Sequence, residues 1–98
     1  MSIEVVDNST ESRFEVLVDG KVAGFTDYRL LPTKIVFTHT EVLPAYEGQG
    51  LASKLIGYAL QASADTGLRV VPLCPFVAKY IERHPEFQEL VDTSFGGR

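Results

Sequence analysis

The chain is predicted to fold as a mixed α/β (α+β) domain. An antiparallel N-terminal meander leads into a parallel strand–helix–strand unit, and one or two C-terminal helices follow. Three observations predict this. The first 43 residues read as strands, with β-branched and aromatic usage running through Ile35 to Val42. After Gly50 the apolar residues change from a period of two to a helical period. A short apolar run, Arg69 to Cys74, follows that helix closely. Two strands joined through a helix make a right-handed crossover and lie parallel.

Each element has its own warrant. Ile3 to Val6 is a short apolar run, and Phe14, Val16 and Val18 alternate with Glu15, Leu17 and Asp19. Asp19-Gly20 is a two-residue hairpin signal, so Lys21 to Arg29 is the returning strand. Leu31-Pro32-Thr33 turns the chain again, and Lys34 to Leu43 reads as a strand throughout. From Leu51, apolar or small residues at 51, 52, 55, 56, 59, 60 and 63/64 form one helical face, with Lys54, Tyr58, Gln61 and Asp65 opposite and Gly67 as the stop. Arg69 to Cys74 is a fifth strand, parallel to Lys34–Leu43 and a candidate neighbour of it. Pro72 within it predicts an edge, a bulge or a locally open ladder. Phe76 to Arg83 is helical with Phe76, Val77, Tyr80 and Ile81 on one face, and Pro85 to Val91 is a candidate second short helix. Residues 1–95 make one domain, and Gly96 to Arg98 a disordered tail.

Composition bounds the function. A chain of 98 residues with 45% hydrophobic and 22% charged residues is an ordinary globular domain. Nine basic against thirteen acidic residues, net −4, argue against nucleic-acid binding. The single cysteine excludes an internal disulfide, the N-terminus carries no signal-peptide pattern, and no apolar stretch approaches the roughly 20 residues that span a bilayer. A cytoplasmic protein without membrane contact follows, as a monomer or weak homodimer. No group of His, Cys and carboxylates has metal-ligand spacing.

The most informative segment is Leu43-Pro44-Ala45-Tyr46-Glu47-Gly48-Gln49-Gly50-Leu51-Ala52, between a strand and an amphipathic helix. Gly48 and Gly50 admit positive φ and let a ligand approach the backbone. The helix that follows offers three or four unpaired N–H groups and about half a positive charge. Together they make an anion site, most naturally for phosphate. Ser53 stands where a Walker loop needs glycine before Lys54, and where a Rossmann loop needs its third glycine, so neither nucleotide motif is met. The competing reading is a tight turn and nothing more.

Strand, Val42-Leu43-Pro44, Gly48-Gln49-Gly50-Leu51-Ala52, helix and fifth strand together resemble the acetyl-CoA-binding core of GNAT N-acetyltransferases. The run from Phe37-Thr38-His39-Thr40-Glu41-Val42 through Cys74-Pro75-Phe76 to Arg83-His84-Pro85-Glu86-Phe87 is similar to the small stand-alone GNAT-like subfamily. The resemblance implies acetyl-CoA as cosubstrate. The coenzyme would be bound by Val42, Leu43, Gly48, Gln49, Gly50, Leu51, Ala52 and Ser53. Amides around Gln49 to Ser53 would receive the pyrophosphate, and the strand edge ending at Val42 would receive the pantetheine arm, where two parallel strands splay. The chain departs from the wider superfamily in two places. Ala45 stands where Arg or Gln usually opens the loop, and Val6 to Arg13 is too short for the helices that help form an acceptor site. The acceptor groove is therefore expected to be open.

Four residues are candidates for catalysis. Cys74, before Pro75 at a helix start, could be acylated first and pass the acetyl group on, or be a small buried filler. The resemblance implies Glu41 as the base that deprotonates an amine and Tyr80 as the acid that protonates the departing CoA thiolate. An exposed strand carboxylate and a core tyrosine are the alternatives. His39 shares a strand face with Glu41 and could relay a proton, or be an ordinary hydrogen-bonded histidine. Lys79 with Arg83, or Lys54 with Tyr58, could meet the 3′-phosphate, or be solvated surface. The predicted function is acetyl-CoA-dependent transfer to an unidentified amine acceptor. The alternatives are a non-catalytic acyl-CoA-binding module and a structural or interaction domain.

Overall fold

Backbone pairing turns the alternating N-terminal residues into four consecutive antiparallel strands. In a computed structural model, which describes residues 2–92, these are β1 (Ile3–Asn8), β2 (Arg13–Val18), β3 (Lys21–Leu30) and β4 (Lys34–Val42). The fifth strand, β5 (Arg69–Pro72), joins β4 in parallel, giving the sheet order β1-β2-β3-β4-β5. The chain passes from β4 to β5 through a 3-10 turn at Pro44–Tyr46 and helix α1 (Leu51–Asp65). Helix α2 (Pro75–Arg83) follows, and the candidate second short helix is a 3-10 segment, Pro85–Leu90. The expected Gly96–Arg98 tail lies outside the described residues. Among the described residues no helix is long and apolar enough to cross a membrane.

β1 runs two residues further than the apolar run suggests, because Asp7 and Asn8 pair with Phe14 and Arg13. Only Ser9 to Ser12 then connect β1 to β2, and no helix forms there. β5, in contrast, ends at Pro72 and not at Cys74. Pro72 has no N–H to continue the ladder. Leu73 N–H turns back to the Val71 carbonyl at 3.1 Å, Cys74 N–H makes a last bond to the Phe37 carbonyl at 2.9 Å, and Pro75 opens α2. The parallel pairing accordingly stops at Phe37–Pro72. Beyond it, β4 continues to Val42 with no described strand on that side.

A β-bulge decides which way the end of β4 faces. His39 pairs with Asp27 but Phe37 pairs with Tyr28, leaving Thr38 extra. The slip puts Phe37 and Thr40 on one face of the sheet and His39 and Glu41 on the other. The Phe37 face is the core. Against it α1 packs Leu51, Leu55, Ile56, Ala59 and Leu60, and α2 adds Val77 and Ile81 to the same cluster. Ser63 is buried in this stripe because its hydroxyl bonds to the Ala59 carbonyl at 2.8 Å. Gly57 lets α2 come close: a Cβ there would lie 2.7 Å from the Tyr80 hydroxyl oxygen.

Candidate functional site

The glycine turn hangs from the sheet by its first residue. Leu43 N–H bonds to the Ala23 carbonyl at 2.8 Å, and half-buried Tyr46 packs against the core. Gly48 and Gly50 take φ of 82° and 73°, the left-handed region that favours glycine. Gly50 is also the N-cap of α1, and no side chain caps the helix. The first intrahelical bond runs from Lys54 N–H to the Gly50 carbonyl. The six amides from Gly48 to Ser53 donate to no group among the described residues. The last three of them, Leu51 to Ser53, open a 15-residue helix at its positive end.

Five of those six residues, Gly48, Gly50, Leu51, Ala52 and Ser53, line a hollow of about 360 Å³ together with Val42. Leu43 and Gln49, the other two residues expected at the coenzyme, belong to the same turn but do not line the hollow. Tyr46, Glu47 and Phe76 complete it. The helical pattern predicts Phe76 on the core face of α2, yet it is 50% exposed. Residues 76 and 80 form one helical stripe and 77 and 81 the next, and only the second is fully buried in the core. Ser53 and Phe76 also line an adjoining hollow with Lys79, Tyr80, Arg83 and His84. The two hollows form one groove, from the unpaired end of β4, past the α1 N-terminus, to two cations on α2. Lys54 does not line it.

A family model described as GCN5-related N-acetyl-transferase matches residues 13–90. The chain belongs to the GCN5-related N-acetyltransferase family. Solved structures agree on the fold. A GCN5-like putative N-acetyltransferase from Staphylococcus aureus superposes with a TM-score of 0.70 at 22% identity, over 94% of this chain and 91% of that one. A ribosomal-protein-alanine N-acetyltransferase from Brucella melitensis biovar Abortus 2308 does so with a TM-score of 0.58 at 21% identity, over 76% of this chain and 59% of that one. No curated protein matches the chain significantly.

On this GCN5-related fold the four candidate catalytic residues are not gathered at one point. Cys74 is 3% exposed in the core, where its thiol donates to Thr40 Oγ1 at 3.3 Å. Thr40 Oγ1 in turn lies 2.9 Å from Thr26 Oγ1, closing a buried polar chain. His39 and Glu41 sit on the other face, exposed, with His39 Nε2 and Glu41 Oε1 3.2 Å apart. That face also carries Phe25, whose ring lies 6.2 Å from the His39 ring and beneath the Arg13 guanidinium at 4.5 Å. Arg13 and Asn8 both donate to Glu15. Burial pushes the Glu15 carboxyl up, but those hydrogen bonds and the Arg13 charge outweigh it and leave its pKa below the ordinary value. Tyr80 stacks on His84 with ring centroids 3.9 Å apart, and its hydroxyl rests over Gly57. Burial and then the Glu86 charge raise its pKa, so it is a neutral phenol at pH 7.

Two site features carry no mark in the sequence: the Thr40–Thr26 pair, and the placement of Phe76, Lys79 and Arg83 beside Ser53. The first depends on the bulge, and the second on where α2 lands against α1.

Proposed function

We propose that this GCN5-related protein is an acetyl-CoA-dependent N-acetyltransferase acting on an amine acceptor. The observation that carries this is the row of six unpaired amides, Gly48 to Ser53, beside a strand edge that has lost its parallel partner. The residues present fit the coenzyme. Glycine leaves the cradle open, the amides suit a diphosphate, and the free edge of β4 offers backbone donors and acceptors to the amide-bearing pantetheine arm. Lys79 and Arg83 suit a further phosphate. Tyr80, on the same wall, is assigned to coenzyme binding. Acetyl-CoA, when bound, supplies a thioester.

The chain's own residues then orient and deprotonate. The face bearing His39 and Glu41 has neither helix over it, so an acceptor amine reaches the end of β4 from there. The Glu41 carboxylate orients His39, and the pair takes the amine's proton as nitrogen bonds to the thioester carbonyl carbon and the C–S bond breaks, CoA leaving as the thiolate. Cys74 faces the other way and donates to Thr40, which is no base, so transfer is direct. A reducing cytoplasm suits the lone thiol.

Titrating the ¹⁵N-labelled protein with CoA and following amide shifts tests the reading. Saturable shifts at Gly48 to Ser53 and at Lys79 and Arg83 are expected, followed by acetyl release on an amine panel with acetyl-CoA. Silent amides in the turn at millimolar CoA would overturn the binding site. Tight binding with no transfer to any amine would leave a carrier or sensor of acyl-CoA.

A further inference from the structure

The opposite end of α1, roughly 20 Å from the glycine turn at 1.5 Å per residue, borders a separate cavity of about 330 Å³. That volume is within the range of small-molecule sites, about 300–1,000 Å³. Phe14 and Ile35 from the sheet, Ala62 from α1 and Leu68 from the loop after it supply apolar walls. Leu30 and Leu31 form part of the lining and are 59% and 44% exposed, which costs solvation unless something covers them.

The polar side of the cavity has one sign. Tyr28 donates its hydroxyl to Asp7 Oδ1 at 2.6 Å, and the second carboxylate oxygen of Asp7 accepts from no group among the described residues. The phenol is neutral, because burial and then Asp7 push its pKa up to about 12. The Ser63 and Thr66 hydroxyls are already committed to carbonyls of α1. Among the described residues, no Lys, Arg or His lines the cavity. The C-terminal end of α1 adds a partial negative charge. A carboxylate and a helix C-terminus above an apolar floor complement a cation with a hydrocarbon body and repel an anion of the same shape.

We propose that this cavity binds an amphipathic amine, a primary ammonium on a short apolar chain, with Asp7 holding the head and Leu30, Leu31 and Leu68 covering the tail. The proposal is independent of the coenzyme groove. It is tested by ¹⁵N shift titrations with octylammonium, octanoate and octanol, each below its micelle concentration. Octylammonium is expected to saturate shifts at Leu31, Thr66 and Leu68 at least fivefold more tightly than octanoate, with Gly48 to Ser53 unmoved. Asp7→Asn keeps an acceptor for Tyr28 and is expected to bring octylammonium down to the affinity of octanol. Ala62→Leu, which fills the cavity from a helix surface, is expected to abolish binding of all three. Absence of saturation in the wild type, octanoate binding as tightly as octylammonium, or a preference unchanged in Asp7→Asn would each overturn it.

Discussion

Cys74 and Glu41 lie on opposite faces of the sheet, and that placement fixes what each substitution should do. Cys74 donates to Thr40 in the core, so Cys74→Ala leaves a small void and one hydroxyl short of a partner. A stability loss of about 1–3 kcal/mol is expected by urea denaturation. Acetyl transfer per folded molecule should stay within threefold of wild type for both Cys74→Ala and Cys74→Ser. A drop of several orders of magnitude in single-turnover release would instead mean an acetyl-Cys74 intermediate. Glu41→Gln keeps its shape and removes the charge that orients His39. It should lower kcat by roughly 10²-fold and leave CoA affinity unchanged in calorimetry. Gly50 has φ 73°, and beyond its chain neighbours no atom lies within 4 Å of where a Cβ would sit. A methyl group is therefore tolerated sterically but not conformationally. Gly50→Ala should cost about 1 kcal/mol of stability and weaken CoA at least tenfold, since the methyl group stands among the donor amides.

At the scale of elements, two glycines hold neighbours close for different reasons. A Cβ on Gly24 of β3 would stand 2.8 Å from the Glu41 carbonyl oxygen and 3.2 Å from Val42 Cα. Both are backbone, so β4 itself has to move, at the point where it borders the groove beside the glycine turn. A Cβ on Gly57 of α1 meets only the tip of the Tyr80 side chain. Alanine is a better helix former than glycine by about 1 kcal/mol, which offsets that contact. Gly24→Ala is therefore expected to lower the urea midpoint clearly, by about 1–3 kcal/mol, and to weaken CoA binding. Gly57→Ala is expected to be near neutral in stability while shifting the Tyr80 and His84 ring resonances. Equal losses in the two variants would contradict this account of how β3–β4 and α1–α2 are spaced.

Across the whole molecule, two buried ionisable groups set the pH range of stability from opposite ends. Folding raises the Tyr28 phenol from 10.0 to about 12. Its contribution is whole below pH 10 and is lost as pH climbs towards 12. Folding lowers the Glu15 carboxyl below 4.5, so its contribution is present above that pH and is lost as pH falls through the folded value. Stability measured against pH should therefore fall on both sides, with the alkaline limb flattened in Tyr28→Phe and the acid limb flattened in Glu15→Gln. An alkaline limb unchanged in Tyr28→Phe would mean that another group controls it.

Local chemistry determined much of this protein. Alternation, the Asp19-Gly20 turn and the helical stripe from Leu51 specify the elements and their order. The glycines before an amphipathic helix specify a turn that leaves a row of amides unpaired, because dihedral freedom and unpaired amides are properties of adjacent residues. Pro72 by itself signals an edge, a bulge or a locally open ladder, and β5 is the edge strand whose pairing ends there. Tertiary structure alone decided which groups meet. The bulge at Thr38 turns Thr40 to Cys74 and sends His39 and Glu41 to the other face, and a one-residue slip leaves no mark in a run of β-branched residues. The seating of α2 over Gly57 brings Phe76, Lys79 and Arg83 beside Ser53, because the contact joins elements distant in sequence.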